Sequence, residues 1–263
     1  MAKFIITGLL VSLLLIISAC DTNDELKDDA AGKTAPELIY FEESNLSFYY
    51  PASIAEGISS ESIDASEEDA FIEYPEYKLI SFDDYLLTGT FLGPIIQIFP
   101  LEEYLVLSDH TAETIEKLKT ITAEKAIADN ITELPYLPWP NAAQQFYANP
   151  EFLESKSVSG LRYLTQYIQD VGPVTNQGLF YTYQGITTDQ KYYISAAFPV
   201  KHSELPLDWE DYFESTGTDY ENFEGNYVGY LDLTVKMLDE TGADEFTPSL
   251  QLLDEVIKSL KIE

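Results

Sequence analysis

The chain has 263 residues, with 46 Asp and Glu against 14 Lys and Arg, and a formal net charge of −32 at pH 7. That balance argues against a nucleic-acid partner, which needs clustered basic residues to meet phosphate, and it repels anionic lipid headgroups. Aromatic residues make up 13% of the chain and include 19 Tyr, which argues against disorder over most of its length and supplies a core for one domain.

The order of elements starts with an address. Lys3 precedes a mostly apolar run over residues 4–19, shorter than the roughly 20 apolar residues a spanning helix needs. Cys20 follows, then an abrupt change to Asp21, Asn23, Asp24 and Glu25, with no basic stop-transfer cluster. The stretch Ile17-Ser18-Ala19-Cys20 resembles the bacterial lipobox. That resemblance implies cleavage before Cys20, a diacylglyceryl group on its sulfur, further acylation (palmitate) of the new amino terminus, and a lipid-anchored protein on the extracytoplasmic face of the cell membrane. Two or more acyl chains hold a protein firmly at a bilayer where one does so only marginally. Cys20 is the only cysteine, so no internal disulfide forms. Residues 20–36 read as an acidic flexible tether, and residues 37–263 as a single domain.

Within that domain, 38–41 and 46–50 are short β-rich runs that predict a hairpin, with Pro51 closing the second. Residues 78–82 and 94–99 are apolar on both faces, as buried strands are. Ser108 or Asp109 caps a helix with Ile115, Leu118 and Ile121 at one-turn spacing. Residues 133–146 form a proline-stiffened loop ending in Asn141-x-x-Gln144, the spacing of a helix cap and its reciprocal partner. Residues 160–169, 179–185 and 191–200 are aromatic strands, the last two flanking a short turn, and together they predict an antiparallel sheet. Asp208 caps a turn carrying Trp209, Tyr212 and Phe213. A longer helix is predicted over 220–240, with Phe223, Tyr227, Leu231, Thr234 and Leu238 on one stripe. Thr247-Pro248 is expected to start a last helix buried through Leu250, Leu253, Ile257 and Leu260.

Two stretches carry a second resemblance. LSFYYP (46–51) is similar to the aromatic strand that opens many PsbP-like domains, and LDEVIKSLKI (253–262) to their closing helix and tail. The resemblance implies an α+β fold, an antiparallel β-sheet flanked by helices in a PsbP-like α/β/α sandwich. It also implies a non-catalytic role in docking or assembly support for an envelope partner. Residues 52–150 have no counterpart in that resemblance and read as a long insertion.

Chemistry is sparse. His110 and His202 stand far apart in sequence and belong to no zinc-binding spacing. No nucleophile elbow and no phosphate loop occurs, so neither catalytic residue nor cofactor is expected. Asp219, Glu221, Asn222 and Glu224 offer oxygen ligands, yet calcium is not favoured, because acids at a helix start serve the dipole equally well. Tyr136 and Trp139, held between prolines, are the candidate ligand-binding residues, for a solute or glycan, with Phe146 and Tyr147 close by. The competing reading folds this loop over the sheet with its aromatics buried, and burial takes precedence. Arg162, the only arginine, is expected to pair with a buried carboxylate. The acidity itself reads first as a solvated surface; a saline habitat, where salt screens the self-repulsion, is the other reading.

Overall fold

The structure is a computed structural model describing residues 36–66, 72–129 and 132–263. The expected signal segment 1–19, Cys20 and all of the tether but Pro36 lie outside the described residues. Residues 36–263 form one unit.

The alternating runs read in the sequence become strands. β1 (Leu38–Glu43) and β2 (Leu46–Pro51) form an antiparallel hairpin. A seven-stranded antiparallel sheet follows, built from β3 (Gly57–Ile63), β4 (Tyr77–Asp83), β5 (Ile95–Pro100), β6 (Ala143–Glu154), β7 (Val158–Ile168), β8 (Phe180–Thr187) and β9 (Tyr192–Pro199). Its strand order is β3-β4-β5-β9-β8-β7-β6. Five helices accompany it: α1 (Leu101–Leu105), α2 (Asp109–Glu124), α3 (Trp209–Thr216), α4 (Tyr220–Glu240) and α5 (Leu250–Ser259). A short strand, β10 (Lys261–Ile262), pairs with β2. Residues 46–51 and 261–262 thus meet, with β1, in one three-stranded sheet.

The large sheet is apolar on both faces because both are covered. One face carries Ile80, Phe82, Ile96, Ile98, Leu164 and Phe198, packed against the hairpin and the buried side of α5. The other carries Phe99, Leu161, Tyr163 and Tyr193, packed against Tyr104 of α1 and against Ile115, Leu118 and Ile121 of α2. The fold is therefore α+β, an antiparallel sheet flanked by helices.

Helix starts follow local chemistry. Ser108 Oγ accepts from Thr111 N at 3.1 Å, Asp208 from Asp211 N at 3.0 Å and Asp219 from Asn222 N at 2.8 Å, so one orphaned first-turn amide in each of α2, α3 and α4 finds a side-chain oxygen. The acidic run at 219–225 is accordingly the first turn of α4.

Two expectations are corrected, at Asn141 and at Thr247-Pro248. Asn141 starts no helix: residues 143–154 are strand β6, and Gln144 turns to the loop before it instead of capping. Residues 52–150 contribute β3, β4 and β5 to the sheet and α1 and α2 to its cover. Thr247-Pro248 is a cis peptide ahead of α5, whose cap position is Ser249. Arg162 and Tyr163, neighbours on β7, are both buried because both faces of the sheet are covered.

Arg162 finds its carboxylate. Its Nε and Nη2 donate to the two oxygens of Asp254 on α5, at 3.2 and 3.3 Å. Nη1 donates to the carbonyl and side-chain oxygen of Asn149, and Glu151 lies 3.5 Å away at the rim. Tyr181 adds a hydroxyl to Asp254 at 3.0 Å. Asn149 in turn donates its side-chain amide to the last carbonyls of α4, Leu238 and Thr241. One buried cation thus ties β7, β6, α4 and α5 together.

Candidate functional site

Between α2 and β6 the chain crosses the α2 face of the sheet as the proline-rich segment 133–142. Sheet side chains hold its backbone. Tyr163 donates its hydroxyl to Pro135 O at 2.9 Å, Leu137 N donates to Gln184 Oε1 at 3.0 Å, and Leu134 N donates to Gln144 Oε1 at 2.7 Å. From the helix side, Lys117 Nζ donates to Glu133 O at 2.6 Å. Gln184 is itself fully engaged: its amide donates to Thr182 Oγ1 and Ser195 Oγ at 3.0 and 2.9 Å, and it also accepts from the Tyr193 hydroxyl. A buried polar network satisfied at every member fixes one conformation and is costly to disturb.

The clamped loop walls an open cleft of about 690 Å³. The floor and one wall come from Tyr136, Trp139 and Tyr167, and the other wall from one face of α2, where His110, Glu113, Thr114 and Lys117 recur at helical spacing. Tyr136 lies 5.0 Å from Tyr167 and 6.0 Å from Phe180, ring centre to ring centre, and Trp139 lies 5.3 Å from the His110 ring. Gln144 and Gln169 line the remaining side; Gln144 donates to the Tyr167 hydroxyl at 2.9 Å, and Gln169 donates to Asn141 O at 3.0 Å. Burial pushes the Tyr136 and Tyr167 hydroxyls up from their ordinary values, so both stay neutral hydrogen-bonding groups across the physiological range.

The two sequence-predicted ligand residues are therefore brought to one cleft, and the expectation of burial divides between them. Tyr136 is half-buried against the sheet, whereas Trp139 is 48% exposed. Phe146 points away, into the core on the opposite face, and does not join them. Sequence reasoning missed Tyr167, His110 and Lys117. The signal for the last two was present in the α2 stripe opposite Ile115 and Leu118, while Tyr167 becomes visible only once the loop is known to lie over the end of β7.

Other sites the sequence raised are placed elsewhere. His202 is buried against Phe246, with Nδ1 accepting from Glu204 N at 3.4 Å. Among the described residues no group of three metal-ligating side chains comes together, and no helix is long and apolar enough to cross a membrane. Cys20 lies outside the described residues. No protein-family model, curated protein or solved structure matches the chain.

Proposed function

We propose that the protein is a lipid-anchored, non-catalytic binding module of the extracytoplasmic face of the cell membrane. It is attached through Cys20, and its cleft takes a neutral saccharide. The observation that carries this reading is the convergence of Tyr136, Trp139 and Tyr167 on one cleft of about 690 Å³, within the range of ligand pockets. Flat aromatic faces suit the C–H faces of a sugar ring, while the amides and carboxylates around them suit its hydroxyls. Charge supports a neutral ligand: Glu113 and Glu133 outnumber Lys117 at the cleft, and a chain of −32 overall repels anions. The cleft's polar groups largely serve to hold the loop, which fits a preorganised binder better than an enzyme.

A second reading, docking or assembly support for an envelope partner through a PsbP-like domain, draws on the hairpin. Tyr40 and Tyr49 form a cross-strand ring pair, 4.9 Å apart, on its exposed side, and tyrosine is enriched at protein interfaces. A thermal-shift screen with neutral oligosaccharides, run beside a pull-down from native membranes, separates the two. The saccharide reading predicts a rise in melting temperature that Trp139→Ala abolishes. No shift with any sugar, together with a stoichiometric protein partner lost on Tyr40→Ser, would reject it.

A further inference from the structure

One end of the molecule is apolar where a soluble surface is not expected to be. The loop between β4 and β5 holds Leu86, Phe91 and Leu92 in solvent, with Phe91 69% exposed, the most of any aromatic side chain there. It is not a loose tip: Leu86 N donates to Ile54 O at 2.8 Å, Phe91 N to Gln177 O at 3.0 Å, and Thr90 Oγ1 to Leu92 O at 2.9 Å. These same bonds tie the loop to its neighbours. Ile54 follows the turn in which Ala52 N donates to Glu37 O, one residue before exposed Leu38, and Gln177 N donates to the carbonyl of exposed Leu207. Leu38, Leu86, Phe91, Leu92 and Leu207 therefore gather at the end of the fold where the chain arriving from Cys20 joins it.

We propose that this end is a membrane-contact surface, in which the β4–β5 loop inserts Leu86, Phe91 and Leu92 into a neutral bilayer surface. The inference rests on the reading of Cys20 as the lipid anchor. Fifteen residues lie between Cys20 and Pro36, and the sixteen steps from one to the other, at ~3.6 Å each, reach no more than roughly 58 Å. An acylated Cys20 joins the fold at this end and so keeps it within reach of the bilayer, and exposed apolar side chains there gain from leaving water. Asp83 and Asp84 flank the loop, so the contact is apolar, and zwitterionic lipid is favoured over anionic lipid.

The test places an environment-sensitive dye on Thr88→Cys, an exposed loop position, and as a control on Thr188→Cys, in the β8–β9 turn at the other end of the sheet. In one arm the mature acylated chain sits in phosphatidylcholine vesicles. In the other, Cys20→Ser carries an amino-terminal histidine tag held by nickel-chelating lipid. The expected result in both arms is a several-fold loss of iodide quenching at position 88 and none at 188. Leu86→Ser with Phe91→Ser should restore the quenching while leaving the melting temperature unchanged. Full quenching at 88 in the tagged arm overturns the proposal, and shielding confined to a third arm, the acylated chain in native membranes, overturns it in favour of a protein partner. Shielding in the tagged arm, together with a native chain that incorporates no palmitate when expressed, supports the loop contact and rejects the anchor alone.

Discussion

Arg162 shows how much of this fold hangs on single side chains. Its guanidinium is buried with the Asp254 carboxylate, and burial raises the Asp254 carboxyl above its ordinary value against the opposing pull of Arg162. Desolvation therefore outweighs attraction in this pair, as it commonly does in buried ion pairs. The sign for pH follows. A carboxyl raised in the folded state contributes stability that is fully present below its unfolded value of 3.8 and declines as pH rises through the folded value. Removing one partner strands the other charge: Asp254→Ala should cost about 3–5 kcal/mol in urea unfolding at neutral pH, and Arg162→Met with Asp254→Leu should recover most of that loss. A double variant as weak as the single one would mean that the bonds to Asn149, rather than the charge pair, hold these elements. The need of Arg162 for a partner was legible from its being the only arginine in an aromatic strand. The identity of the partner was not, because Asp254 lies 92 residues away on a helix read only for its apolar stripe.

At the scale of elements, strands with strong apolar alternation and helices with capping residues were legible: β7, β8, β9 and α4 stand within a residue or two of their expected limits, and α2 starts at its expected cap. The two strands of the large sheet that were missed share a cause, because both lie at its edges. β3 is Gly-Ile-Ser-Ser-Glu-Ser-Ile and carries almost no strand signal, since an edge strand can be polar. β6 contains Pro150 and two register shifts, features an edge strand tolerates and an interior one does not. The loop 133–142 was recognised as stiff, yet its placement depends on Gln184 and Tyr163, buried residues whose hydrogen bonds run to distant backbone. Gln184→Leu removes the acceptor of Leu137 N and should destabilise the protein by about 1–3 kcal/mol. Hydrogen exchange at Leu137 should speed up along with it while exchange in β9 stays slow. Equal acceleration in both would mean that the network stabilises the sheet and does not specifically clamp the loop.

The whole molecule carries 46 acids against 14 bases, and among the described residues a few pairs offset them, such as Lys125 with Glu154 and Lys191 with Asp189. Self-repulsion of this size weakens with screening, whose length falls from about 10 Å at 0.1 M salt to 3 Å at 1 M. Melting temperature should therefore rise between low salt and molar NaCl, equally in KCl. A stability gain of about 2 kcal/mol corresponds to roughly 4–8 °C in a unit of this size. A flat response would assign the acidity to a solvated surface alone and remove the case for a saline setting. The central claim is that Tyr136, Trp139 and Tyr167 form a saccharide platform, and the indole N–H resonance of Trp139 reports on it most directly. Titrating the oligosaccharide that gives the largest thermal shift should move that resonance in a saturable way while leaving the Trp209 resonance in place. A saccharide that binds with the Trp139 resonance unmoved, or a shift that survives Tyr136→Ala and Tyr167→Ala together, would contradict the account.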